Sequence, residues 1–386
     1  MQVHNPATIN TSTNMVGTGD LAREVYGILG IPVDATDMTA VLRRIETAAA
    51  DRLPCLISTA NLNFLVTSGI DAEFRESLLR SDLCTADGMP IVWIARLLGV
   101  PIRERIAGAD IFEELKSARS LSRRLSVYLF GGANDAAEAA GRKLNEESSA
   151  IVCAGSYYPG FGTVDEMSTD VVLNTVNASN ADILAAALGA KKGQAWLLSV
   201  HDRLGIPVRV HLGATINFQA GTVKRAPLRM RRWGLEWLWR IKEEPRLWKR
   251  YRDDGAILLQ LMLTRVLPLI FLANWYRLRW SGEETDLVVD RAEGHKSVIL
   301  SIRGVAAARS LGTAASCFQD AVRAAKHIVI NFTDTRFVDA RFLGLLLMLN
   351  KELKKQQLSL RFTGVSPGIA RIFRLNGFEF LLRTEV

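Results

Sequence analysis

Asp87 is the residue whose type and surroundings first suggest chemistry. It stands in Thr85-Ala-Asp-Gly-Met89, directly after the apolar run Leu83-Cys-Thr-Ala86 and directly before a helical pattern from Met89 to Leu98. A carboxylate between a strand and a helix has two common uses. It can cap the helix by accepting backbone N–H bonds, or it can act as a general base toward a bound hydroxyl. The uses compete, because a carboxylate saturated with donors is a weak base. Spacing alone leaves both open, with the cap the commoner role. Gly131-Gly132, between the run Leu125-Ser-Val-Tyr-Leu-Phe130 and a helix from Asp135 to Leu144, is a second candidate. Glycines there let a phosphate approach the backbone, and they also form ordinary turns.

Other chemistries lack their residues. The full Gly-x-Gly-x-x-Gly pattern of dinucleotide enzymes is absent, as is a Gly-x-Ser-x-Gly nucleophile elbow. His201 and His211 are isolated, and no Asp-x-Asp triplet is present to clamp a diphosphate through a metal. Cys55, Cys84, Cys153 and Cys317 fall outside metal-ligand spacing and read as reduced thiols of a cytosolic protein. A diphosphate leaving group would therefore be held by arginine, with no metal and no cofactor expected.

Short apolar runs alternate with helical stretches from about Leu21 to Pro227. Leu56–Thr59, Ile183–Leu188 and Val208–Leu212 are the remaining strands and Phe74–Ser81 a further helix. This alternation predicts an α/β fold, a mostly parallel sheet with helices on both faces. Ligands of such folds sit at the carboxyl ends of the strands, where Asp87 and Gly131-Gly132 fall.

Lys224–Arg252 breaks the pattern. It holds eleven Lys/Arg against three Glu, a surplus equal to the net charge of +8 for all 386 residues. Trp233, Trp237, Trp239 and Trp248 are interleaved with the cations. A charge run is usually a solvated helix face, but here the apolar stretch Ala256–Ala273 follows at once. As a helix it would be roughly 27 Å long, short of the ~30 Å hydrocarbon core. Its apolar side chains would favour insertion by roughly 3–6 kcal/mol, against about 2.5–3.5 kcal/mol for Arg265. Both flanks are basic, so a single span would place one basic flank outside. The expectation is a segment lying in the membrane interface or packed on protein, with Trp275, Tyr276 and Trp280 at headgroup level. A buried helix hairpin is the alternative.

Several segments, in order, resemble the WecG/TagA/CpsF glycosyltransferases. They are Thr59-Ala-Asn61, Asp82–Met89, Arg105-Ile-Ala-Gly-Ala-Asp110, Phe130-Gly-Gly132, Asp182-Ile-Leu184 and Leu188-Gly-Ala190. The block Ala220–Pro227, Gly234–Arg240, Glu244-Pro-Arg246 and Arg250-Tyr251 completes the set. The resemblance covers about Ile28–Arg252. It implies a Rossmann-like, inverting, metal-independent transferase. Such an enzyme passes a sugar from a UDP-sugar to a polyprenyl-diphosphate-linked acceptor for a surface polysaccharide such as an exopolysaccharide. It also implies Asp87 as base and Thr59 and Asn61 near the donor sugar. Gly131, Gly132 and Gln194 are further donor-site candidates. Arg225, Arg240, Arg246 and Arg250 would hold the diphosphate. The sequence departs from the family at Gly189-Ala-Lys-Lys-Gly-Gln194, where many members read Gly-Ala-Pro-Lys-Gln-Glu. It departs again at Asn217, where Asp precedes Phe in what is expected to be a strand.

Residues Leu287–Leu382 resemble STAS domains through Val329-Ile-Asn-Phe332, Phe337–Gly344 and Gly364-Val-Ser-Pro367. Members switched by phosphorylation carry Ser where this chain has Ala340, so that switch is expected to be absent. The implied role is docking or regulation through a protein partner, the alternative being mere support. The expected organisation is a disordered or loosely attached segment 1–20, a Rossmann-like core 21–223, a basic helical appendage with an apolar membrane-associating segment 224–282, and a small STAS-like α/β domain 283–386. The expected location is the cytoplasm, attached to the inner face of the membrane. A non-catalytic sensor of nucleotide sugar or lipid carrier is the alternative function. Nucleic acid is not expected as a partner, because the basic stretch lacks a groove-reading motif.

Overall fold

A computed structural model describes residues 19–119, 121–132, 135–279, 287–308 and 311–383. The expectation of a loose segment over 1–18, and the headgroup position of Trp280, lie outside these residues.

The chain enters through an antiparallel hairpin, β1 (Val25–Ile28) and β2 (Ile31–Asp34), every residue of which is buried. A six-stranded parallel sheet follows, built from β3 (Cys55–Ala60), β4 (Leu83–Ala86), β5 (Leu125–Gly131), β6 (Ile151–Tyr157), β7 (Ile183–Ala187) and β8 (Val208–His211). Its order is β4-β3-β8-β7-β5-β6, all neighbours parallel. Most of these strands are buried throughout, as expected when helices cover both faces. The crossovers are α1 (Met38–Ala50), α2 (Leu62–Ile70), α3 (Ala72–Leu79), α4 (Met89–Leu97), α5 (Gly108–Ser117), α6 (Ala136–Glu147), α7 (Asp170–Ala178), α8 (Ala190–Ser199) and α9 (Thr215–Ala220). Side-chain caps start three of them: Asp37, Asn61 and Asp71 accept from Ala40, Phe64 and Phe74.

The basic stretch forms α10 (Leu228–Arg232) and α11 (Glu236–Glu243). A single rod follows: a turn at Pro245–Leu247, α12 (Trp248–Leu261), a π-helical turn at Met262–Val266 and α13 (Leu267–Arg279). The π turn directly precedes Pro268. Proline donates no N–H and crowds the carbonyl four residues back, so the wider turn lets the rod continue.

The last part has β9 (Val288–Glu293), β10 (Ser297–Ala306), α14 (Leu311–Arg323), β11 (His327–Asn331), β12 (Thr335–Val338), α15 (Ala340–Lys355), β13 (Leu360–Thr363), α16 (Pro367–Leu375) and α17 (Glu379–Leu382). Its strands run β12-β10-β11-β13, with β9 antiparallel to β10. Asp339 caps α15 at Phe342, and Ser366 caps α16 at Ile369 ahead of Pro367. Two features at the front of the described chain differ from the sequence expectation. Asp20, expected to be loose, is buried and ion-paired with Arg23. The hairpin, unrecognised in the sequence, packs its β1 face against α15, so Val25 belongs to the core of the C-terminal domain.

Candidate active site

Asp87 sits just beyond the carboxyl end of β4, and its N–H donates to the Ala60 carbonyl at 2.7 Å. The cap of α4 falls to Gly88, at φ 101°, which makes no side-chain cap bond. The Asp87 carboxylate is therefore free of the commoner role, and 24% of its side chain is exposed. Burial pushes its pKa up to about 7; Arg105 and Arg225 oppose the rise, while Glu236 and Asp110 add to it.

Arg105 reaches this carboxylate because its loop is stitched to β4. Thr85 Oγ1 donates to the Ile106 carbonyl at 2.9 Å, and Ile106 N–H donates to Ala86 at 2.9 Å. Its guanidinium lies 3.7 Å from Asp87, 2.6 Å from Asp110 and 3.3 Å from Glu236. Asp110, in the first turn of α5, also pairs with Arg225 and, at 3.0 Å, with Arg231. One carboxylate thus gathers three arginines from three segments. Gly234, at φ 73°, brings the α10–α11 turn onto α4, where a Cβ would lie 2.4 Å from Met89 Cγ. The basic appendage is consequently folded down over the end of β4.

The arginines keep unused donors. Arg225 Nε, Arg231 Nε and Arg240 Nη1 are buried without a hydrogen-bond partner, as is Asn217 Oδ1. Arg240 lies over the Phe218 ring, 5.3 Å from its centroid. Buried N–H groups of cations are costly to leave unpaired, so these arginines are suited to an anion with several oxygens.

The other predicted residues divide. Thr59 is buried at the end of β3 beside Thr85, and Asn61 caps α2 next to Gly88. Gly131 and Gly132 have φ of 99° and 90°. A Cβ on Gly131 would lie 2.5 Å from the Ala187 carbonyl oxygen, and one on Gly132 would lie 3.7 Å from Asn217 Oδ1. Thr59 and Asn61 therefore flank Asp87 from the neighbouring strand β3, whereas Gly131 and Gly132 close β5, with β3, β8 and β7 lying between it and β4. Gln194 does not join them. It is fully buried under α8, where its amide exchanges hydrogen bonds with Ser58 Oγ at 3.0 and 3.2 Å. Its side chain is spent on Ser58 and has no exposed surface. Arg246 and Arg250 stand exposed on the rod, Arg250 3.8 Å from Asp254, outside the Asp110 cluster. Asn217 lies in α9 and not in a strand. Arg231 and Asp110 were missed as site residues. Arg231 was one cation among eleven, and only the fold distinguishes it.

A cavity of about 200 Å³ lies at the opposite end of the sheet, between Leu56, Asp82, His201 and Lys351. Among the described residues, no group of three His, Cys, Asp or Glu side chains forms a metal site.

The family of the chain is shown by comparison with family models. Residues 26–269 match the model of the glycosyl transferase WecG/TagA/CpsF family, and the chain belongs to that family. Residues 288–383 match the Mlab, STAS domain model. Among curated relatives, the N-acetylglucosaminyldiphosphoundecaprenol N-acetyl-beta-D-mannosaminyltransferase of Bacillus subtilis (strain 168) is 27% identical over 224 residues, 58% of this chain and 85% of that one. The enzyme of the same name from Staphylococcus aureus (strain MW2) is 25% identical over 225 residues, with the same coverage. A solved structure of the anti-sigma factor antagonist SpoIIAA in its unphosphorylated form aligns with 26% of this chain and 89% of its own, at 18% identity and a TM-score of 0.24.

Proposed function

We propose that the protein transfers a sugar from a UDP-sugar to an acceptor carried on a polyprenyl diphosphate. The transfer proceeds with inversion and without a metal, at the inner face of the cytoplasmic membrane, in the assembly of a surface polysaccharide. The carrying observation is Asp87, a carboxylate released from capping, raised toward neutrality and facing arginines with spare N–H groups. In the reaction Asp87 removes the proton from the acceptor hydroxyl as its oxygen bonds to the anomeric carbon. The bond from that carbon to the diphosphate breaks, and UDP leaves with the electron pair. A base with a pKa near the working pH is the effective one. Arg225, Arg231 and Arg240 are suited to the charge that develops on the diphosphate. The relatives' name, which specifies a diphosphoundecaprenol acceptor, supports the acceptor class.

The rod supports the membrane location. By length and composition Pro245–Tyr276 could cross a membrane. However, its inner face packs on protein along its length: α12 against α2, the π turn against α4 and α16, and α13 against α16. Val266 and Leu269 are buried there, and Tyr276 lies against Phe337 of the C-terminal domain, with ring centroids 5.0 Å apart and tilted by 44°. The outer face exposes Leu259, Leu263, Leu267, Phe271 and Trp275, one residue every four, which forms an apolar stripe. With the basic appendage beside it, this stripe suits a helix lying in an anionic bilayer surface.

The test is a donor panel read as UDP release, with N-acetylglucosaminyl-diphosphoundecaprenol as first acceptor and EDTA in parallel. Acceptor-dependent, EDTA-insensitive release with one UDP-sugar is the expected result. Its absence across the panel overturns the reading.

A further inference from the structure

The C-terminal domain reaches the transferase through a buried ionic network. Lys351 of α15 is 6% exposed. Its ammonium donates to Asp20 Oδ1 at 3.1 Å, to the Ser81 carbonyl at 3.0 Å and to Asp82 Oδ1 at 2.8 Å. Arg23 sits beside it, bonding Asp20 at 2.7 Å, the Ser81 carbonyl at 3.0 Å and Asp34 through two bonds of 2.8 and 3.1 Å. Lys355 completes the set at Asp20, 2.8 Å away. Three carboxylates thus meet three cations. Burial alone would raise the Asp20 pKa, but Lys351, Arg23 and Lys355 outweigh it and hold it far below the usual carboxylate range.

Two of these carboxylates, Asp34 and Asp82, also grip the sheet. Asp34 Oδ2 accepts from Cys84 N–H at 2.7 Å, on the open edge of β4. Asp82 Oδ2 accepts from Leu56 N–H at 2.8 Å, tying the feet of β3 and β4 together. β4 runs from Leu83 to Ala86 and delivers Asp87. At ~3.3 Å per residue, Asp82 and Asp87 are roughly 16 Å apart along one strand. The joint is also closed sterically. A Cβ on Gly344 would lie 2.0 Å from the Val25 carbonyl oxygen, and one on Gly377 would lie 2.8 Å from Gly30 N. Backbones this close leave no room for a side chain at either glycine.

We propose that Lys351 is a positioning residue for the transferase: from the C-terminal domain it clamps the foot of β4 and thereby fixes Asp87 at the head of that strand. The C-terminal domain is on this view part of the catalytic unit. The proposal rests on Asp87 being the base.

The test uses full-length protein. Lys351→Met removes the charge at similar volume and leaves one carboxylate unbalanced. Lys351→Met/Asp82→Asn restores the balance without the tie, and serves if the single variant does not fold. Lys354→Met, which loses an exposed pair with Glu76, is the control for domain contact alone. Two readouts are taken, amide exchange at Cys84–Asp87 and the pH profile of UDP release. The expected result is faster exchange at β4, a fall in kcat on the order of 10- to 100-fold with donor KM unchanged, and a displaced pH profile. Lys351→Arg should recover part of each, and Lys354→Met should show none. Unchanged β4 exchange and an unchanged pH profile in a folded variant that has lost Lys351 overturn the proposal. Wild-type protein without transferase activity refutes the functional reading instead, and the exchange measurement still decides whether Lys351 clamps the strand.

Discussion

Replacing Asp87 by Asn separates what the carboxylate does for the reaction from what it does to the fold. Its pKa is displaced from 3.8 to about 7, chiefly by burial. Between those values the native protein binds a proton that the unfolded chain has released, so native stability falls as pH rises through the window. Fully expressed above pH 7, the displacement is worth at most about 4 kcal/mol. The side chain keeps 24% of its surface open, so about 2 kcal/mol is the reasonable expectation. Asn cannot ionise and escapes the penalty. Asp87→Asn should therefore match wild type in urea unfolding at pH 4 and exceed it by about 2 kcal/mol at pH 8. Turnover should fall by roughly 10²–10⁴-fold, the range for loss of a general base, while UDP binding by calorimetry persists. Wild-type turnover should rise with pH through about 7. A variant less stable than wild type at pH 8, or one with full turnover on the lipid-linked acceptor, would refute the assignment.

Asp110→Asn should loosen Arg105, Arg225 and Arg231 together and lower kcat/KM for the donor by roughly 10–100-fold, matching the loss of one or two charge-assisted bonds; steady-state kinetics decides it. Arg240→Ala should weaken UDP binding while leaving the melting temperature close to wild type. Gln194→Ala should destabilise by about 1–3 kcal/mol in chemical denaturation, by stranding the Ser58 hydroxyl, with the donor KM unmoved. Leu263→Glu/Phe271→Glu on the outer stripe should release the protein from anionic vesicles in sedimentation, without changing UDP binding in solution.

The sheet was legible because buried parallel strands read as short apolar runs between helices, and β3, β4, β5, β7 and β8 all announce themselves this way. Asp87 was legible by its position between such a run and a helix. Its freedom from capping was not, because that depends on Gly88 adopting positive φ. The burial of Gln194 was not legible for a related reason, since only the fold places this residue of α8 against Ser58 of β3. Arg231 and Asp110 could not be singled out, since long-range pairing across 121 residues leaves no local signal. The hairpin β1–β2 escaped notice because its residues are buried by α15, more than three hundred positions away.

That separation has a consequence for how the protein is made. Asp20, Arg23 and Asp34 emerge from the ribosome before their partners, and Lys351 and Lys355, which neutralise Asp20, follow 331 and 335 residues later. At roughly 5–20 residues per second the hairpin must wait about 15–60 s for its partner helix. During that time it presents unpaired charges and an uncovered apolar face. Shielding by a chaperone over this interval, and sensitivity of soluble yield to any pause before α15, follow from the joint between the first strands and the last domain.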